Sequence, residues 1–299
     1  MGQALEPSLG MKADMQQEEA AHHADKAKGQ DGESAGDAAS SKDPTFVTAL
    51  ARGLEILRCF TAERQDLGTS ELARLTGLPQ PTVWRLCKTL SQLGYLVPGR
   101  TPDRLRVGAG VLMLGHAAIT HTGISHFALP LMRQVADEFG ISVSLAERHG
   151  MDMVVVQRIE APSILRLNMH VGSALELGNS SLGWAYLAAL DPAARNSALK
   201  KLERHYGKAW PKVSCDIEQG CKEFAEHGFV LNFAKSHRDV NAIGVPVISP
   251  DRQRVMALTC GGAKSSLSTE KLTTEVAPAM LALAEKIAPL LTQRLDVDR

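Results

Sequence analysis

The sequence predicts an α+β protein in two parts: an N-terminal winged helix-turn-helix and, after a further apolar helix, a mixed domain built around an antiparallel sheet. Three observations predict it. A length of 299 residues suits two domains of about 100–200 residues each. Within residues 45–110 a short helical pattern, a glycine turn and a second helix with a basic outer face lead into two short β-rich runs. Beyond residue 125, strand and helix patterns mix without strict βα alternation.

Composition narrows the function classes. With 44% hydrophobic and 22% charged residues, the chain can bury a core, and a wholly disordered or collagen-like protein is excluded. No uninterrupted apolar run reaches the ~18 residues of a membrane span. The opening MGQALEPSLG lacks the basic segment and apolar stretch of a secretory signal. A soluble, cytoplasmic protein with no membrane partner is expected. The cysteines, Cys59, Cys87, Cys215, Cys221 and Cys260, are odd in number and scattered, which favours reduced thiols over a disulfide framework. Cys215 and Cys221, with His205 and His227 nearby, are spaced too widely for a usual zinc pair, so no metal site is assigned.

Net charge is zero, yet unevenly spread. Residues 1–44 carry 4 basic and 9 acidic side chains, residues 45–110 carry 9 and 5, and the remainder 20 and 19. The net charges of −5, +4 and +1 hide a basic segment behind an acidic tail, and local charge is what a phosphate backbone feels.

Residues 1–44, poor in aromatics and rich in Ala, Gln, Glu, Asp, Ser, Gly and Lys, predict a disordered tail, because they offer too little apolar surface to offset ordering entropy. From Phe46 to Phe60, Val47, Leu50, Leu54 and Leu57 recur at helical spacing. Thr69-Ser70 can cap a second short helix, ELARLT, which stops at Gly77. Pro81 suits the start of a third helix, running to Leu93 and ending at Gly94. Dividing that helix at 100° per residue sets Val83, Leu86, Cys87, Leu90 and Leu93 on one face and Pro81, Trp84, Arg85, Lys88 and Gln92 on the other. YLVPGR and RLRVG then predict a hairpin, or wing, around Thr101-Pro102-Asp103, with Arg100, Arg104 and Arg106 in or beside it. A helical hairpin with a merely solvated charged face is the plainer alternative; the wing, the tight turn and the local charge favour DNA. VLMLGHAAITH, residues 111–121, is apolar on more than one face and too short for a membrane, which suits a contact with another chain or domain, or an ordinary core helix.

In the second part a helix over 125–140 ends at Gly140. ISVSLAER and MVVVQRIE read as a hairpin about His149-Gly150, and SILRLNM as a further strand. A loop over Gly172–Asn179 precedes the helix SSLGWAYLAAL; helices near 192–206 and 215–227, strands at 240–249 and 254–261, and a last helix from Leu272 to Leu290 complete it.

ARGLEILRCF, TSELARLTGLPQPTVWRLCKTLSQLGYL, RVGAGVLMLG, ALPLMRQVADEFGISVSLAER, VGSALELGNSSLGWAYLAAL, EHGFVLN and IGVPVISPDRQRVMALTCGG, in this order, resemble the isocitrate-lyase-regulator (IclR) family of bacterial transcription factors over residues 45–295. The resemblance implies a winged helix-turn-helix domain over 45–110, a linker helix over 111–124 that helps dimerise, and a GAF-like effector-binding domain over 125–295. It further implies a dimer or dimer of dimers on double-stranded operator DNA, answering to a small organic acid. On that footing Ser70, Gln80, Thr82, Trp84, Arg85, Lys88, Arg100 and Arg104 are the expected DNA-contacting residues, with Trp84 meeting a thymine methyl or packing on the wing. Ser180, Ser181, Leu182, Asn232, Ala242, Thr259 and Gly261 are the expected effector-binding residues.

The chain departs from the family in the sensor. Glu176-Leu177-Gly178 and Gly183-Trp184 replace a Pro-Leu-His-like start and a Gly-Lys or Gly-Arg pair, and Asn232, Ala242, Thr259 and Gly261 stand where members that sense small keto-acids place polar or acidic groups. The loss of an acid at 232 and the added space favour a bulkier, aromatic acid. Its carboxylate is expected at the free amides beginning the helix near Ser180–Leu182, unless Ser180 merely caps that helix.

No G-x-x-x-x-G-K-[ST], G-x-S-x-G, H-E-x-x-H or strict G-x-G-x-x-G motif occurs. No catalytic residue and no cofactor is assigned. The expected function is a ligand-responsive transcriptional regulator, more often a repressor, of a catabolic operon. The alternative is a ligand-binding module that acts through protein partners without reading DNA.

Overall fold

A computed structural model describes residues 44–121, 124–161, 169–233, 239–265 and 267–292, and the chain divides into two units between Met113 and Leu114. The expected tail falls almost wholly outside the described residues, as does nearly all of the SILRLNM strand.

In the N-terminal unit, α1 (Thr48–Arg58), α2 (Thr69–Thr76) and α3 (Gln80–Gln92) pack over a small antiparallel sheet of β1 (Leu67–Gly68), β2 (Leu96–Pro98) and β3 (Arg104–Val107), ordered β1-β3-β2. Its core is Ile56, Leu67, Leu72, Val83, Cys87 and Leu96. Full burial of an aliphatic side chain such as Leu72 or Val83 contributes about 1.5–3 kcal/mol, which is what ties such short elements together. Burial also pushes the Cys87 thiol up to about 11, so it packs as an inert apolar group.

Three local expectations change. Gly68, not Thr69-Ser70, is the N-cap of α2, and its N–H donates to Glu71 Oε2 at 3.0 Å, a carboxylate reaching back from the third helical position. Leu93 is the C-cap of α3 rather than part of its buried stripe; it is 63% exposed because the helix ends at Gln92 and the chain turns away at Gly94, whose φ is 77°. Val47, Leu50 and Leu54 line the outer side of α1, whose buried residues are Gly53 and Ile56. The next helix, α4 (Ala109–His121), leaves Leu112, Met113 and Leu114 exposed.

The second unit is built on a six-stranded antiparallel sheet ordered β6-β5-β4-β9-β8-β7. Its strands are β4 (Ser142–His149), β5 (Asp152–Ile159), β6 (Ala174–Glu176), β7 (Val230–Phe233), β8 (Val240–Ile248) and β9 (Val255–Ala263). Side chains alternate across it. Val143, Leu145, Ile243, Val245, Val247, Met256, Leu258 and Cys260 face one way, into a core with α5 (Ile124–Phe139) and α9 (Ala277–Ile287). Ala146, Met153, Val230 and Ala257 face the other, against α6 (Ser181–Ala189), α7 (Pro192–Tyr206) and α8 (Trp210–His227). The result is three layers, helices–sheet–helices, an α+β architecture.

The expected 172–179 loop contains the short edge strand β6, and β7 was not anticipated. α8 starts at Trp210, five residues before the expected 215, because Pro211 fits the first helical turn. The last helix is compound: a short turn, a π-type stretch over Leu272–Val276, then α9 and a 3₁₀ end over Ala288–Leu291. Trp184 is fully buried in the core beside α8, where Gly220 gives it room, and its indole N–H donates to the Gly178 carbonyl at 2.8 Å.

Candidate functional site

The first site is the outer face of α2 and α3. Gly77, at φ 67°, makes the left-handed turn that ends α2, and Pro81 sits in the first turn of α3. Gln80 Nε2 donates to Ser70 Oγ at 3.0 Å, linking the starts of the two helices on the surface. Trp84, Arg85 and Lys88 lie exposed on α3, with Thr82 half-buried at its start, and the Lys88 ammonium lies 5.0 Å over the Trp84 ring. This face offers cationic and hydrogen-bonding groups together with an aromatic surface.

The wing places the two expected arginines differently. Arg100 is 84% exposed at its tip, 3.4 Å from Asp66, which also accepts from the Arg100 backbone N–H. Arg104 turns inward instead: Nη1 donates to the Asp66 carbonyl at 2.8 Å and Nη2 to Glu71 Oε2 at 2.6 Å. Its guanidinium ties β3 to the start of α2.

The second site is a cavity of about 300 Å³ within the C-terminal unit. Its floor is the small-residue face of the sheet, where two cross-strand rows run side by side. One row is Arg158, Ser144, Thr259 and Gly244; the other is Ser142, Gly261, Ala242 and Asn232. Ser180 and Ser181 close it from the start of α6, and Met169, Leu175 and Val240 add apolar wall. α6 can come this close because Gly244 carries no side chain; a Cβ there would overlap the Ser181 carbonyl.

Six of the seven expected effector residues therefore converge: Ser180, Ser181, Asn232, Ala242, Thr259 and Gly261 all line this cavity. Leu182 does not line it; its side chain is fully buried in the core of the helical layer, on the inner side of α6. Ser180 Oγ accepts from the Gly183 N–H at 3.1 Å and donates to the Glu176 carbonyl at 2.8 Å, so it caps α6. Ser181 Oγ lies 3.0 Å from Thr259 Oγ1. Thr259 donates to the Ile243 carbonyl at 2.8 Å, so Ser181 is the donor to Thr259.

Sequence reasoning missed Arg158, the one charged side chain lining the cavity among the described residues. Its Nη1 donates to Ser144 Oγ at 2.9 Å, while Nε is buried without an acceptor among the described residues. Burial lowers its pKa from the usual guanidinium value, partly offset by the exposed Glu160. No group of side chains among the described residues is arranged to hold a metal ion, and no described helix is long and apolar enough to cross a membrane.

A winged helix-turn-helix in one unit and a cavity in the other are the two parts of a helix-turn-helix regulator of transcription. Residues 49–99 match the IclR helix-turn-helix domain and residues 116–289 the bacterial transcriptional regulator IclR C-terminal domain. The chain belongs to the IclR family. It is similar to the HTH-type transcriptional regulator TsaQ1/TsaQ2 of Comamonas testosteroni, 29% identical over 81% of this chain and 87% of that protein. It is also similar to the transcriptional repressor IclR of Escherichia coli, 21% identical over 76% of this chain and 84% of that one. The crystal structure of an IclR family transcriptional regulator from Brucella abortus matches with a TM-score of 0.75 at 35% identity, over 82% of this chain and 93% of that one. These relatives are regulators rather than enzymes.

Proposed function

We propose that the protein is an effector-responsive repressor of a catabolic operon. It binds double-stranded operator DNA through α3 and the wing as a homodimer or dimer of dimers, and it answers to a small organic, aromatic acid bound in the C-terminal cavity. The observation that carries the reading is the cavity, with a floor of small residues and hydroxyls, apolar walls and one cation. About 300 Å³ is at the small end of ligand pockets, which suits a compact acid over a long or branched one. Repression is supported by relatives such as the transcriptional repressor IclR of Escherichia coli and the acetate operon repressor of Salmonella typhimurium.

On the DNA side, Arg85 and Lys88 reach base edges or phosphates, Arg100 reaches a phosphate from the wing tip, and Ser70, Gln80 and Thr82 flank the start of α3. Trp84, carrying Lys88 over its ring, supplies apolar contact. Arg104 braces the wing from within. Self-association is supported by the exposed Leu112, Met113 and Leu114 of α4. The test is to locate the operator upstream of neighbouring genes by footprinting and then screen organic acids for release of the protein from it. Release by an aromatic acid is the expected result. A protein that binds no duplex in a salt-dependent way is instead a module acting through protein partners.

A further inference from the structure

The cavity has two polar ends, and their hydrogen bonds differ. At the α6 end the side-chain donors are spent, leaving only first-turn backbone amides: Ser180 gives its proton to the Glu176 carbonyl and its oxygen to the Gly183 N–H, while Ser181 gives its proton to Thr259. At the β4–β5 end they are not. Arg158 and Ser144 stand directly opposite each other across the hairpin, so both side chains rise from the same face. Arg158 uses Nη1 on Ser144 and leaves Nε buried without an acceptor among the described residues. Ser144, accepting from Arg158, still has a proton to give. No acidic side chain lines the cavity among the described residues, and Glu160, the carboxylate whose charge acts on Arg158, is exposed.

We infer that Arg158 and Ser144 form the anion-binding end of the cavity, so that the effector's carboxylate sits on β4 and β5 and its body runs over Gly261 and Ala242 toward Asn232. This deepens the proposed function and rests on it, because it assumes that the cavity is the effector site. It reverses the orientation expected from the start of α6. A guanidinium fork matches a carboxylate in shape as well as charge, and a half-buried cation whose Nε has no acceptor among the described residues is relieved by an anion that fills it.

The experiment is thermal and calorimetric titration of the full chain with benzoate, phenylacetate and hexanoate, each beside its primary amide. At least one acid is expected to bind while its amide does not. Arg158→Gln should weaken that acid roughly tenfold to a hundredfold, the scale of one charged hydrogen bond. Arg158→Lys, which keeps the charge and loses the fork, should fall between, and it decides the matter if the Gln variant does not fold. Ala242→Leu, which fills the far end, should abolish binding. An acid that binds Arg158→Gln as tightly as the unaltered chain but fails on Ala242→Leu overturns the role of Arg158 and leaves the cavity in place. An acid indifferent to both substitutions overturns the cavity itself. If no acid binds, or none better than its amide, the anionic class is wrong and the inference falls with it.

Discussion

At the scale of single residues, side chains of like type have unlike duties. Arg85 is exposed on α3, whereas Arg104 is held by Asp66 and Glu71. Arg85→Ala should cost roughly 1–3 kcal/mol of operator affinity if it reads a base through both its terminal nitrogens, measured by anisotropy on specific and scrambled duplexes; no loss, or the same loss on both sequences, would remove that role. Arg104→Ala should instead lower the stability of the N-terminal unit by about 1 kcal/mol, a modest figure because the pair is partly solvated. Its DNA salt dependence should keep the same slope. Gly183 lies so close to Leu177 that a Cβ would overlap the Leu177 carbonyl oxygen. Gly183→Ala should therefore destabilise the C-terminal unit by roughly 1–3 kcal/mol in urea unfolding.

At the scale of elements, the sequence was most legible where a period and a stop signal agreed. α3, with Pro81 at its start and Gly94 after its end, lies within a residue of its expected bounds, and the β4–β5 hairpin turns at Gly150, whose φ of 63° only glycine adopts readily. β7 was not legible because VLNF is four residues long and shows its alternation only beside β8. For α4, residues 111–121 read as an apolar helix without a clear polar side, and the structure leaves Leu112, at 75%, and Met113, at 74%, exposed within one chain. The double substitution Leu112→Glu, Met113→Glu should shift sedimentation at micromolar concentration from dimer or tetramer toward monomer, since two charges placed in an apolar contact are costly to desolvate. An unaltered assembly state would remove α4 from the subunit contact.

At the scale of the whole molecule, the zero net charge misleads, because the basic segment over 45–110 is balanced elsewhere in sequence. Binding to random duplex should weaken steeply between 50 and 200 mM salt, on the order of one log unit per log of salt for each phosphate neutralised. The C-terminal unit should respond to effector independently of DNA: at 100 times its dissociation constant a cognate acid should raise stability by about 2.7 kcal/mol. Replacing Ser181 and Asn232 together with bulky residues should erase that gain, and a double variant that still gains stability would place the effector elsewhere.

The sequence by itself determined the basic helix-turn-helix, the wing and the periodicity that makes the second part a sheet covered by helices. These depend on local signals: spacing, caps, turns and charge. It also marked most of the cavity, because Asn232, Ala242, Thr259 and Gly261 could be placed by resemblance. Only the tertiary structure decided that Leu182 faces the core, that Arg104 is held by Asp66 and Glu71, and that Arg158 enters the cavity. The last case shows the physical reason. Counted from the His149↔Asp152 pair at the turn, regular pairing would set Gln157 opposite Ser144; a bulge at Leu145/Ala146 shifts the register by one and sets Arg158 there instead. Side chains alternate with a period of two, so one extra residue exchanges which of two neighbours faces the cavity, and the residue pattern of the two strands does not show where that extra residue falls.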